Sequence, residues 1–364
     1  MELEKSGQDS RDFTIDFVRG ICLPLMMVDQ LRNHWLSLFT YRPLGFFCAA
    51  AVFVFLSGFS VGKFFSGYTA DRDLFLVYRK VWQRALRIYG LHLGVTAMIV
   101  ALAVNAPFGR EIEVAVAQPW RVLLDSVLLH SSAPMLEFLP MYVFFLLLSP
   151  WLLRRFQAGQ VNGIFGISFL IWAGAQAGYS LPMPPFTRVL DGAAWQLLFV
   201  SALYLGFRRA RQPLERPQGT KGLNLGLFGF MLAMAMLRHA EVFGLGALAE
   251  AVPAWWIERS TLGPLVLLNL YLWVAFLWLV PEPLVRMARQ GRVFVAMGQY
   301  AFPLVTWQIL LFYVFMSWFP HLSGFSILGQ ALVVCFAVLC LVLPVSLFLT
   351  SNRSIRQLFS SRQA

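Results

Sequence analysis

The first apolar stretch of the chain, IDFVRGICLPLMMVDQ, carries Asp16, Arg19, Asp29 and Gln30 among residues that otherwise suit a lipid-facing helix. Ionisable groups inside a membrane span are costly and by default mark function. Arg19 and Gln30 are eleven residues apart. On a helix that is about 1100° of rotation, so the two lie within roughly 20° of each other, separated by about 16 Å of rise. One therefore sits near a membrane surface and the other well inside. Asp16 precedes Arg19 by three residues and can pair with it; that pair can equally be an ion pair at the start of the helix.

Three later stretches add further groups. WQRALRIYGLHL brings Arg84 and Arg87, then His92 two turns further along. Neutral imidazole is a plausible proton carrier, and equally a bundle histidine bonded to a neighbouring helix. The arginines, with Arg79 and Lys80, have the charge to hold phosphates of a cytoplasmic ligand, although topology alone also accounts for them. MLEFLPMYVFFLLLSP places Glu137 near the outer edge, followed by Pro140 and Tyr142. A carboxylate there suits acid or base work, or it is a solvated acid favoured by the helix dipole. MGQYAFPLVTWQILLFYVF carries Thr306, Trp307 and Gln308 at mid-depth.

The elements that must position these groups follow from composition. The chain has 364 residues, 59% hydrophobic and 13% charged, with a mean hydropathy of +0.67. Soluble domains average about 45–50% apolar and about 25% charged. Soluble, disulfide-scaffold and disordered classes are thereby excluded, leaving an all-α integral membrane protein. Ten apolar stretches are read, at 13–38, 44–65, 81–104, 135–153, 164–177, 194–207, 223–237, 262–280, 293–319 and 328–350. Ten spans put both termini on one side. If that side is cytoplasmic, 22 of the 29 Lys and Arg face inwards and 7 outwards, the bias expected of inner loops. The net charge of +11 then needs no nucleic acid. The expected organisation is a cytoplasmic tail over 1–12, one membrane domain over 13–350 and a cytoplasmic tail over 351–364.

Cys22, Cys48, Cys335 and Cys340 lie in apolar runs without metal-ligand spacing and read as small buried hydrophobes. The polar start MELEKSGQDSRD lacks the features of a signal peptide. Residues 111–130 are partly amphipathic and could lie along the outer interface, and AEAVPAWWIERS brings Trp255 and Trp256 to the outer boundary. A channel or transporter would line a path with polar residues from several spans; few occur outside the first, third, fourth and ninth.

The blocks IDFVRGICLPLMMVDQ, FTYRPLGFFCAAAVFVFLSGFSVG, RALRIYGLHL, FLPMYVFFLLLSP, AWQLLFVSALYLG and MGQYAFPLVTWQILL, in this order, resemble the OpgC family. That family is related to the ten-helix transmembrane acyltransferases. The resemblance implies a bacterial inner-membrane protein that passes an acyl group, typically succinyl, from cytoplasmic acyl-CoA to a periplasmic glycan. It implies no bound cofactor or metal, with acyl-CoA as donor substrate, the lipid bilayer and a periplasmic glycan acceptor as partners, and no nucleic acid.

Residue by residue, Arg19 matches the arginine of the family's R-x10-H pattern and Asp29 the aspartate before its histidine. Arg84, Tyr89, His92, Glu137, Tyr142, Trp195 and Gln196 also fit. On this reading Asp29, Gln30, His92 and Glu137 are the candidate catalytic positions, and Arg19, Arg84, Arg87 and Gln308 the candidate substrate-binding ones. Three positions depart from the pattern: Gln30 and Gln308 replace histidines, and Ala51 stands where a glutamate is expected. Glutamine forms hydrogen bonds but does not titrate near neutral pH, and a lost general base typically costs about 10²–10⁴-fold in rate. His92, Asp29, Glu137 and His34, one turn beyond Gln30, remain as proton acceptors. The alternative is a homologue that binds acyl-CoA, glycan or a partner without turnover.

Overall fold

The computed structural model describes residues 12–31, 34–40, 44–66, 71–105, 117–130, 135–179, 191–212, 221–240, 250–319 and 321–351. Both expected tails, and residues 111–116 of the amphipathic segment, lie outside the described residues, apart from Asp12 and Ser351. All regular structure among the described residues is helical. The chain divides into two compact units, a terminal one built from residues 1–41 and 280–364 and a central one from residues 42–279.

In the terminal unit, α1 (Phe13–Gln30) begins where Asp12 turns extended and its carboxylate accepts the Thr14 N–H at 3.0 Å, the usual N-cap device. It ends at Gln30, where Leu31 is extended. His34 therefore does not continue the face of Gln30, as a longer helix would have required. It lies past the helix end and folds back so that Nε2 donates to the Val28 carbonyl at 2.8 Å. The unit continues with α11 (Glu282–Gln290), α12 (Arg292–Gln299), α13 (Ala301–Trp318) and α14 (Ile327–Ser351). The ninth apolar stretch is thus two helices, broken at Tyr300, with Pro303 in the first turn of α13, where proline is tolerated.

α12 crosses α1 closely. A Cβ on Gly20 would strike the Phe294 carbonyl, and one on Gly298 would strike the backbone of Asp16. Phe17 packs edge-on to Phe294 with centroids 6.1 Å apart, in a cluster with Ala288 and Val295. Small residues that let backbones approach are the usual way to bind helices where lipid removes the hydrophobic drive.

The central unit contains α2 (Ala49–Phe65), α3 (Asp71–Asn105), α4 (Pro119–Val127), α5 (Phe138–Gln157), α6 (Val161–Gln176), α7 (Gly192–Arg211), α8 (Lys221–Arg238), α9 (Ala254–Ile257) and α10 (Pro264–Leu279). Its tightest pair is α2 with α7. Here too glycines approach backbone from both sides: Gly58 meets Phe199, Gly62 meets Leu203, and Gly206 meets Phe59. α4 packs on α3 through Val122 and Ser126 and leaves Trp120, Leu124 and Val127 exposed.

Each of the ten apolar stretches contains a helix. Among the described residues, four helix segments, in α3, α5, α13 and α14, are long and apolar enough to cross a membrane, and five if α10 and α11 form one broken span. The chain is a membrane protein. α2 and α6 have 17 and 16 residues, roughly 24–26 Å of helix against an apolar layer of about 30 Å. α1 carries three charges. Of the cysteines only Cys22 is buried; Cys48 and Cys340 are half-buried and Cys335 is exposed. The expectation of four buried thiols fails for Cys335 and Cys340 because protein buries little of α14, and for Cys48 because it caps the start of α2.

Candidate functional site

The two glutamines that stand in place of histidines meet. α13 is apolar on nearly every side, and Gln308, its one carboxamide, is fully buried. A buried amide must find partners, and in a membrane it turns towards the bundle. Gln308 turns towards α1, where its Nε2 donates to Gln30 Oε1 at 2.9 Å. With the Gln308 amide rotated, its nitrogen donates to the Leu23 carbonyl at 3.2 Å and its oxygen accepts from the Met27 N–H at 3.1 Å, still beside Gln30. In either orientation the side chain joins α13 to the C-terminal half of α1. Its neighbours point elsewhere: Trp307 Nε1 donates to the Cys340 carbonyl of α14 at 3.2 Å, and Thr306 Oγ1 returns to the Pro303 carbonyl.

Nearer the start of α1, Arg19 Nη1 lies 3.3 Å from Asp16 Oδ1, and both residues are buried. The i, i+3 pairing read from the sequence is therefore formed. Its burial beside α12 distinguishes it from a solvated pair at the helix start. Asp29 is half-buried, one residue before Gln30.

The other candidates belong to the central unit. Arg84 Nη2 donates to the Tyr142 hydroxyl at 3.1 Å. Tyr142 is fully buried between Phe138, which stacks on it, and the edge-on ring of Phe199. Arg87, one turn on, is exposed. Glu137 immediately precedes α5 and is 4% exposed, which rules out a solvated acid. Met135, two residues earlier, has φ +68°, a conformation that costs an L-residue about 1–2 kcal/mol.

His92 is fully buried, and neither ring nitrogen makes a hydrogen bond of ordinary geometry. The Ser126 backbone lies beside the ring. Ser126 Oγ donates to Thr96 Oγ1, which donates to the His92 carbonyl. The bonds at this point thus tie α4 to α3 while leaving the imidazole unused.

Two residues that fit the family pattern act as staples. Trp195 Nε1 donates to the Ser260 carbonyl at 2.9 Å and Gln196 Nε2 to the Ser168 carbonyl at 2.7 Å. Ala51, at the expected glutamate, is fully buried on α2. One residue carries more than its sequence context signals. Asn269, fully buried on α10, accepts the Phe46 N–H at 3.0 Å and the Phe47 N–H at 3.4 Å, closing the turn at Gly45 with φ +117°. A lone asparagine in an apolar helix is the only sequence cue. No group of three or more metal-ligating side chains occurs among the described residues.

The structure thus brings Gln30 together with Gln308 and Arg19 together with Asp16 in one unit. In the other it brings Arg84 together with Tyr142, and it buries Glu137 and His92. No curated relative and no solved structure matches the chain. The family model described as OpgC protein matches residues 11–353, almost the whole chain across both units, and the chain belongs to that family, which is associated with glucan-modifying acyltransferase activity.

Proposed function

We propose that this chain is a multi-pass protein of the bacterial inner membrane that transfers an acyl group, succinyl by preference, from cytoplasmic acyl-CoA to a hydroxyl of a periplasmic glucan. The observation that carries this reading is the family match from residue 11 to residue 353; the buried Arg19–Asp16 pair on the helix that ends in Gln30 supports it. In the reaction the glucan hydroxyl oxygen attacks the thioester carbon, the C–S bond breaks, CoA leaves as the thiol, and the hydroxyl proton passes to a protein group. Arg19 in the terminal unit, or Arg84 with Arg87 in the central one, attracts the donor phosphates. Gln30 and Gln308 act as hydrogen-bonding carboxamides, suited to holding the thioester oxygen as it gains negative charge but unable to take the proton. The proton is left to Asp29, His92 or Glu137. No metal or nucleic acid takes part.

A second reading has its own support. The Gln308 amide finds its partners within the protein, on Gln30 or on the α1 backbone, as in a retired site, and the chain would then bind acyl-CoA or glucan without turnover. Thiol release from a panel of acyl-CoAs, with glucan present, separates the two. The enzyme reading expects release above that of Arg19→Ala and no effect of His130→Ala. Acyl-CoA binding without release favours the second reading.

A further inference from the structure

The segment between α8 and α10 holds two exposed indoles on a frame far stiffer than a membrane anchor needs. Trp255 and Trp256 are 49% and 38% exposed, with ring centroids 5.7 Å apart in an edge-to-face arrangement. They lie on α9, a single turn, and the chain returns beneath them at Gly263. A Cβ there would collide with the carbonyls of both tryptophans, so only glycine allows the return to pass this close.

The intervening loop is fixed carbonyl by carbonyl. Ser260 O accepts Trp195 Nε1 at 2.9 Å and the Asp191 N–H at 3.1 Å. Thr261 O accepts Gln176 Nε2 at 2.6 Å, and Leu262 O accepts Trp172 Nε1 at 3.0 Å. The Gly263 N–H closes onto the Glu258 carbonyl at 2.8 Å. At the exposed rim, Glu258 Oε1 accepts the Ser260 N–H at 3.0 Å and the Ser260 hydroxyl at 2.9 Å, while its other oxygen enters neither bond.

An indole that only marks the membrane boundary keeps its place through its amphipathic ring and needs no rigid support. Stacking on a ligand face does need it, because each ring immobilised only on binding subtracts from affinity. Sugar rings offer that kind of ligand: apolar C–H faces that pack on aromatic rings, and hydroxyls at the rim that donate to a carboxylate. We propose that Trp255, Trp256 and Glu258 form a docking platform for a glucan chain, the two indoles stacking on sugar faces and the Glu258 carboxylate accepting a sugar hydroxyl. The proposal deepens the transferase reading and rests on it for the choice of a glucan and for the outer location of the segment. The platform holds the acceptor polymer, and the transfer chemistry lies elsewhere.

The test is binding of a soluble linear glucan oligosaccharide to the full chain in nanodiscs, with no acyl-CoA present. Trp255→Ala and Trp256→Ala should each weaken binding about tenfold or more, the scale of removing an aromatic anchor. Trp255→Tyr should retain most of it. Gly263→Ala should also weaken binding although both indoles remain, and monodisperse protein with unchanged acyl-CoA binding would show that the fold survives. Unchanged affinity in both alanine variants overturns the proposal. So does quenching of the two indoles by lipids brominated near the headgroup that glucan does not relieve, which would make them a boundary belt. Because acyl-CoA is absent, loss of thiol release alone sinks the transferase reading and not this one. Intact thiol release with no glucan binding does the reverse.

Discussion

The contact between Gln30 and Gln308 can be weighed by a double-mutant cycle. Gln308 is fully buried and has alternative partners on α1: the Gln30 amide in one orientation of its carboxamide, and the backbone at Leu23 and Met27 in the other. Gln308→Ala removes whichever set is formed, whereas Gln30→Ala removes only the amide–amide bond. Polar contacts between membrane helices average about 0.6 kcal/mol, up to about 1.7, and a buried group left without its partner costs about 1–3 kcal/mol. Gln308→Ala should therefore destabilise by about 2–3 kcal/mol once the vacated volume is included, and Gln30→Ala, half-buried, by about 1 kcal/mol. The double variant should be less destabilised than the sum by about 0.6–1.7 kcal/mol, the share of the amide–amide bond. Reversible unfolding in detergent micelles, or steric trapping in bicelles, reads all three values. Coupling below about 0.3 kcal/mol, the usual error for independent sites, would refute the contact.

Other predictions follow from the same geometry. Gly206→Leu should separate α2 from α7, because its side chain begins against the Phe59 carbonyl; overpacking of about 1–3 kcal/mol would lower the melting temperature, while Gly90→Leu, where a Cβ meets nothing, should change it little. Asn269→Leu should strand the Phe46 and Phe47 N–H groups, cost about 1–3 kcal/mol and expose the preceding turn to proteolysis. The Ser260 N–H, its hydroxyl and neighbouring Arg259 hold the Glu258 carboxyl below the ordinary carboxylate range. A depressed folded pKa stabilises at neutral pH, and the contribution is lost as pH falls through the folded value. Indole fluorescence at Trp255 and Trp256 should therefore stay constant from neutral pH through the usual carboxylate range and change only below it, and Glu258→Gln should abolish the acid transition.

The helices were legible because apolar runs of this length have few alternatives, and the i, i+3 spacing of Asp16 and Arg19 was enough to pair them. What failed depended on where helices stop and whom they meet. Spacing alone puts His34 on a continuing α1, but the chain leaves the helix at Leu31, and the sequence cue for that stop is only the Arg32–Asn33 pair just beyond. The break at Tyr300 had a cue in Pro303, outweighed by the apolar run on either side. Gln30 and Gln308 were each recognised as departures from the family pattern, yet their contact joins residues 278 apart, and no periodicity within a helix reports that. The glycines were silent for the same reason. Gly20 and Gly298 matter only because α12 brings its backbone against α1.

The most direct measurement combines both substrates. Purified chain in proteoliposomes, given succinyl-CoA on the cytoplasmic face and glucan on the other, would be assayed for the mass of the acylated glucan, with Arg19→Ala alongside. The account predicts a succinyl ester on the glucan from the wild-type chain and none from the variant. Absence of the ester from the wild type, with acyl-CoA and glucan both bound, would contradict it and leave a binding protein whose paired glutamines have replaced the chemistry.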